Sequence, residues 1–115
     1  MHNDQRKYPR RHLVYYLEVV DLQTGEVIGR LVDITLVGMM IISAKGFPEH
    51  QPITLRINLP EEFTEADHID LKCESIWCHK DVNPDNYATG FRFETPALET
   101  DNLINRVVRQ FGFRD

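Results

Sequence analysis

A disulfide framework is the first thing this chain lacks. It holds only two cysteines, Cys73 and Cys78, five residues apart in a strand-like segment. An odd separation in an extended chain puts side chains on opposite faces, which argues against a mutual disulfide and against a shared metal ion. Both read as small sheet or core residues in a reducing compartment. No apolar run approaches the roughly 18 residues that a membrane-spanning helix requires. The opening Met1-His2-Asn3-Asp4-Gln5-Arg6 lacks the apolar stretch of a secretory leader, so a cytoplasmic location is the expectation. GxSxG elbows, P-loops and clustered carboxylate pairs are also missing. The five histidines (His2, His12, His50, His68 and His79) are scattered over the tail, strand starts and loops, with no metal-ligand spacing. Glu61 and Glu62 read as a solvated face. An enzyme is therefore not expected, nor a metal or other cofactor. There is no internal repeat, and 115 residues with 42% apolar and 27% charged side chains suit one soluble domain.

What is present is an uneven distribution of charge. The net charge is -5, yet Arg6, Lys7, Arg10 and Arg11 against Asp4 give residues 1–12 a net +3, leaving -8 on the remainder. An acidic body with one basic arm is a poor fit to a nucleic acid, which demands an extended basic surface. It suits a small anion gripped by the arm and held against the body. Pro9 excludes a helix through the arm and biases Tyr8 toward extended geometry. Arg6 and Arg10 then share a face. Residues 1–12 read as a flexible arm and 13–115 as the folded body.

From Leu13 the pattern is β. Leu13 to Val20 and Val27 to Thr35 flank a turn at Asp21–Glu26, and Met39 to Ser43 comes next as a third strand. Ile53, Leu55, Ile57 and Leu59 alternate on one face of a fourth. Glu61 to Asp70 reads as a charged loop with room for one helical turn. Leu71 to His79 is a fifth strand, Asp81 to Asn86 a turn-forming loop, and Ala88 to Glu94 a sixth strand. Tyr15, Tyr16, Trp77, Phe91 and Phe93 are expected to serve the barrel. The period then changes. Thr95 fits an N-cap and Pro96 the first helical position, with Glu99 and Asp101 near the positive end of the dipole. Ile104, Val107, Val108 and Phe111 mark one helical face, and Gly112 can end the helix at 95–112. Short strands with turn signals and one amphipathic helix imply a closed or nearly closed barrel with the helix across an opening.

The stretch Asp33-Ile34-Thr35-Leu36-Val37-Gly38 stands out between two strands. Asp33 and Thr35, two apart, project to one face of an extended chain. Gly38 permits a positive φ or a close approach. Taken alone, this is also what an ordinary hairpin looks like, with Asp and Thr satisfying turn amides.

Taken together, Arg6-x-x-x-Arg10 and Asp33-x-Thr35-x-x-Gly38 resemble the two-part signature of the PilZ domain family, RxxxR followed by (D/N)xSxxG. Ile76-Trp77 in the fifth strand and Gly90-Phe91-Arg92-Phe93 in the sixth are similar to that family's strand patterns, so the resemblance runs from Arg6 to the C-terminal helix. It implies a six-stranded antiparallel β-barrel and a receptor for cyclic di-GMP. Arg6 and Arg10 would take phosphate or guanine, with Lys7 or Arg11 adding charge. Asp33 would accept from guanine N1–H and N2–H, Thr35 would hydrogen-bond through its hydroxyl, and Gly38 would let a base or backbone come close. Thr35 departs from the family's serine, and its methyl stiffens χ1 beside the ligand. Gln5 stands where many members carry another arginine. The implied mechanism is an arm ordered by a dianion bridging it to the Asp33–Gly38 face, with a protein effector reading the altered surface of a monomer or weak dimer. The competing reading is a PilZ-like interaction module in motility or pilus assembly that binds no nucleotide.

Overall fold

The computed structural model describes residues 11–94 and 98–111, with side chains from Tyr16 onward. Six strands precede one helix: β1 (Arg11–Asp21), β2 (Val27–Ile34), β3 (Gly38–Ser43), β4 (Pro52–Asn58), β5 (His68–Lys80), β6 (Tyr87–Phe93) and α1 (Leu98–Phe111). The strands close into a barrel in the order β1-β2-β3-β6-β5-β4, and every neighbouring pair is antiparallel. Closure leaves no free sheet edge.

Alternation fills the interior. Leu55 and Ile57 of β4 are buried, while Thr54 beside them is exposed. They join Leu17 and Val19 of β1, Leu31 and Ile34 of β2, Met39 and Ile41 of β3, Ile69, Leu71 and Cys73 of β5, and Phe91 and Phe93 of β6 in one continuous core. The β3–β4 loop closes one end of the barrel, where Phe47 meets Phe91 edge-on at 5.5 Å. At the other end α1 buries Ile104, Val107 and Phe111. There Phe111 packs on Phe63 at 6.1 Å. The predicted helical face is thus the buried one. Thr95, Pro96 and Gly112, read as cap and stop residues, lie outside the described residues.

Two strands begin earlier than their apolar pattern. Arg11 and His12 are paired with Ile34 and Asp33, so β1 starts inside the segment read as arm. β5 starts at His68 because Arg56 and Asp70 face each other across β4 and β5, with bonds of 2.7 and 3.0 Å from one guanidinium to one carboxylate. That pair raises Arg56 and holds Asp70 below the usual carboxylate range, chiefly through the hydrogen bond itself. Charge that reads as a solvated loop is one half of a cross-strand ion pair. The loop before it makes a single turn, Phe63 N–H donating to Pro60 O at 3.0 Å, and buries Phe63.

Register also shifts within β1, but the shifts that set the facing around the Asp33–Gly38 stretch lie between Leu31 and Asp33 in β2 and between Ser75 and Trp77 in β5. Each inserts one residue and reverses the facing of the residues after it. The expectation for the cysteines is corrected by the second. Cys73 pairs with Phe93 and Cys78 with the fully buried Thr89, whose hydroxyl donates to Cys78 Sγ at 3.2 Å. Both thiols therefore lie on the inward side, and both are free. Tyr16 also departs from expectation: it is 70% exposed. It lies under the Arg30 guanidinium at 5.9 Å instead of in the core.

Burial pushes the Cys73 thiol up to about 12 from 9.0, with Glu94 adding to it. The folded state then holds a proton that the unfolded chain gives up above pH 9, so this contribution is whole below pH 9 and is lost as pH rises toward 12. By pH 10.5 the loss is about 2 kcal/mol. Chemical denaturation at pH 8 and 10.5 is expected to show a smaller alkaline loss in Cys73→Val than in the parent chain.

Candidate functional site

Of the residues singled out in the basic arm, Arg6, Lys7 and Arg10 lie outside the described residues. Arg11 is described in its backbone alone: it opens β1 opposite Ile34, beside the His12–Asp33 pair. The chain therefore enters the barrel against the Asp33–Gly38 stretch, and Arg10 is one peptide unit from that point. The start of β1, which follows the first half of the signature in sequence, thus lies against the strand that carries the second.

The Asp33–Gly38 stretch is a β2–β3 hairpin turn. Thr35 N–H donates to Gly38 O at 2.8 Å. The Thr35 hydroxyl accepts from Val37 N–H at 3.2 Å and Gly38 N–H at 3.3 Å, and lies 3.4 Å from Gly38 O as a donor. Thr35 is thus the turn-closing residue that the plain hairpin reading requires. Asp33 is not in the turn. It sits in β2, 4% exposed, and the insertion at Val32 turns it to the outer side of the barrel while Ile34 enters the core. Gly38 is required by close packing: a Cβ there would fall 2.3 Å from the Phe91 carbonyl oxygen.

On this outer side the pairings form a continuous row. Asp33 of β2 faces Met40 of β3, Met40 faces Gly90 of β6, and Gly90 faces Trp77 of β5. The row is the floor of a hollow of about 250 Å³, also lined by Thr35, Val37, Gly38, Ile76, Phe91 and Arg92. A carboxylate stands at one end and an indole at the other. The indole lies directly over Gly90, where a Cβ would come within 2.4 Å of its ring atoms. The His79 imidazole stacks on it at 4.8 Å, 12° from parallel. Trp77, expected in the core, is instead a wall of the hollow, because the β5 insertion turns it outward.

The hollow is smaller than the roughly 300–1,000 Å³ of pockets that enclose a whole ligand. It is sized for one flat group. Asp33 can accept from paired N–H donors of such a group, and Trp77 offers it an aromatic surface. Among the described residues no group of three or more His, Cys, Asp and Glu is placed to hold a metal ion. No helix among them is long and apolar enough to cross a membrane.

Sequence reasoning found Asp33, Thr35 and Gly38 here and missed Met40, Trp77, Gly90 and Arg92 as lining residues. The strand patterns around Trp77 and Gly90 were visible, but nothing in the local sequence says that β5 changes phase before Trp77.

The family model for the PilZ domain matches residues 4–110 of the chain. Among solved structures, the chain is similar to the PilZ domain of YcgR from Escherichia coli with c-di-GMP, with TM-score 0.71 and 16% identity over 94% of this chain and 92% of that one. It is also similar to the Bacillus subtilis inhibitor of motility MotI/DgrA, with TM-score 0.69 and 19% identity over 94% of this chain and 51% of that one. A structure of YcgR in complex with c-di-GMP matches at TM-score 0.69 and 17% identity, over 93% of this chain and 46% of that one. The chain thus spans about half the length of the MotI structure and of that longer YcgR structure. No curated protein matches it in sequence.

Trp77 is the chain's one tryptophan, so the hollow has its own reporter. Gly90→Ala is expected to lift the indole off the sheet and shift its fluorescence emission to the red. Thr35→Val, which removes the acceptor for two turn amides, is expected to cost about 1–2 kcal/mol in chemical denaturation, with Thr35→Ser close to the parent.

Proposed function

Since the chain belongs to the PilZ domain family, we propose that it is a receptor for cyclic di-GMP that passes the signal to a protein partner. The observation that carries this reading is the row Asp33–Met40–Gly90–Trp77 with the start of β1 beside it. A guanine set on that row meets a carboxylate at its N1–H and N2–H edge and an indole at its face. An adenine lacks that pair of donors. The phosphates then fall toward the start of β1, where Arg10 and, one turn of extended chain further, Arg6 can bind them bidentately, with Lys7 and Arg11 adding charge. Thr35 contributes by holding the turn, and Gly38 by keeping β3 against β6. Binding pins the arm across the Asp33–Gly38 face. The surface presented to a partner changes with it. The protein acts as a cytoplasmic receptor or adaptor and not as an enzyme. YcgR in complex with c-di-GMP and the motility inhibitor MotI, both similar in fold, support this class of role.

A second reading is an interaction module in motility that binds no nucleotide. The Thr35 hydroxyl favours it, being engaged by the turn on all the contacts it makes among the described residues.

Isothermal titration calorimetry with cyclic di-GMP separates the two. Saturable binding is expected, weakened at least about tenfold in Arg10→Ala, as for the loss of hydrogen bonds to a charged group, and absent with GTP. Quenching of Trp77 fluorescence is expected over the same concentration range. No heat and no change in melting temperature at high ligand concentration would leave the interaction module as the function, and a pull-down for its partner would come next.

A further inference from the structure

Beside the row that floors the hollow runs a second, Gly38–Arg92–Glu74, across β3, β6 and β5. Gly38 brings no side chain to it, so Arg92 stands between an empty position and a carboxylate. Arg92 is the only cation among the described residues lining the hollow. Its Nη2 donates to Glu74 Oε1 at 2.7 Å. The other Glu74 oxygen is 3.5 Å from His50 Nδ1. Arg92 is the more open partner, its side chain 64% exposed against 32% for Glu74.

A guanidinium carries five N–H donors in a planar fork, and Glu74 accepts one of them here. Among the described residues no other acceptor bonds it. An ion pair this exposed is weakly held, whereas a phosphate diester brings a full charge and two oxygens to the fork. We propose that Arg92 is an additional ligand-binding residue that takes a phosphate of the cyclic dinucleotide from the β6 side of the hollow. Glu74 is its resident competitor, holding Arg92 in the free protein and weakening binding of the dianion. The proposal rests on reading the hollow as a cyclic dinucleotide site. It assigns a role to a residue inside the Gly90–Phe93 strand pattern, where the two phenylalanines face the core and the arginine does not.

The test is a double-mutant cycle on Arg92 and Glu74, with cyclic di-GMP as titrant at fixed ionic strength. Arg92→Ala is expected to weaken binding about tenfold or more and to make affinity less sensitive to salt. Arg92→Lys, which keeps the charge and loses the fork, is expected to fall between. Glu74→Gln is expected to tighten binding several-fold, and to have no effect once Arg92 is alanine. Melting temperatures of the variants establish that each is folded. Binding by Arg92→Ala equal to the parent overturns the proposal and leaves the receptor reading intact. So does tightening by Glu74→Gln that persists without Arg92, which marks simple repulsion. A parent chain that does not bind overturns the receptor reading and this proposal with it.

Discussion

In a closed barrel each strand residue faces either the core or the outside, and neighbours along a strand must differ. This constraint governs where the chemistry of this chain lies. Strict alternation would send Asp33 inward with Leu31, and Trp77 inward with Cys73 and Ser75. One inserted residue in β2 and one in β5 reverse both. A carboxylate and an indole that would have disrupted the interior are thereby placed at opposite ends of one cross-strand row. The core loses nothing, because Ile34 and Cys78 take up the vacated inward positions. Bulges concentrate at sites where a side chain has to be re-aimed, and this molecule uses two of them on one surface.

The rest of the site depends on small residues. Gly38 lets β3 sit against the Phe91 carbonyl, and Gly90 lets the indole come close against β6. With a side chain at either position the floor would rise and the hollow would close. Thr35 contributes to the same shape by satisfying two amides of the turn, which keeps the end of β2 rigid beside the start of β1.

Much of this was legible in the residues. The alternation of Ile53, Leu55 and Ile57, the helical face of Ile104, Val107 and Phe111, and the Asn-Pro-Asp loop before β6 are all local patterns, and the structure repeats them. The family was legible too, since its signature consists of residue types at fixed spacings. The readings that departed from the structure share one cause. Trp77, Cys78 and Tyr16 were placed by counting along a strand or by residue type. Their actual facing depends on pairing with residues far away in sequence. The start of β5 escaped notice for a related reason: Asp70 reads as solvated until Arg56 of β4 lies across from it.

The sequence by itself determined the strand and helix content, most residues of the core and the family to which the chain belongs. Periodicity and turn chemistry are properties of neighbouring residues, and they survive in a linear reading. Only the tertiary structure decided that Asp33 and Trp77 belong to one row, that Arg92 stands beside it, and that β1 begins against Asp33 and Ile34. Those relations are set by register between strands. Register is an equilibrium among whole-barrel pairings, in which one inserted residue changes the facing of every later residue in its strand.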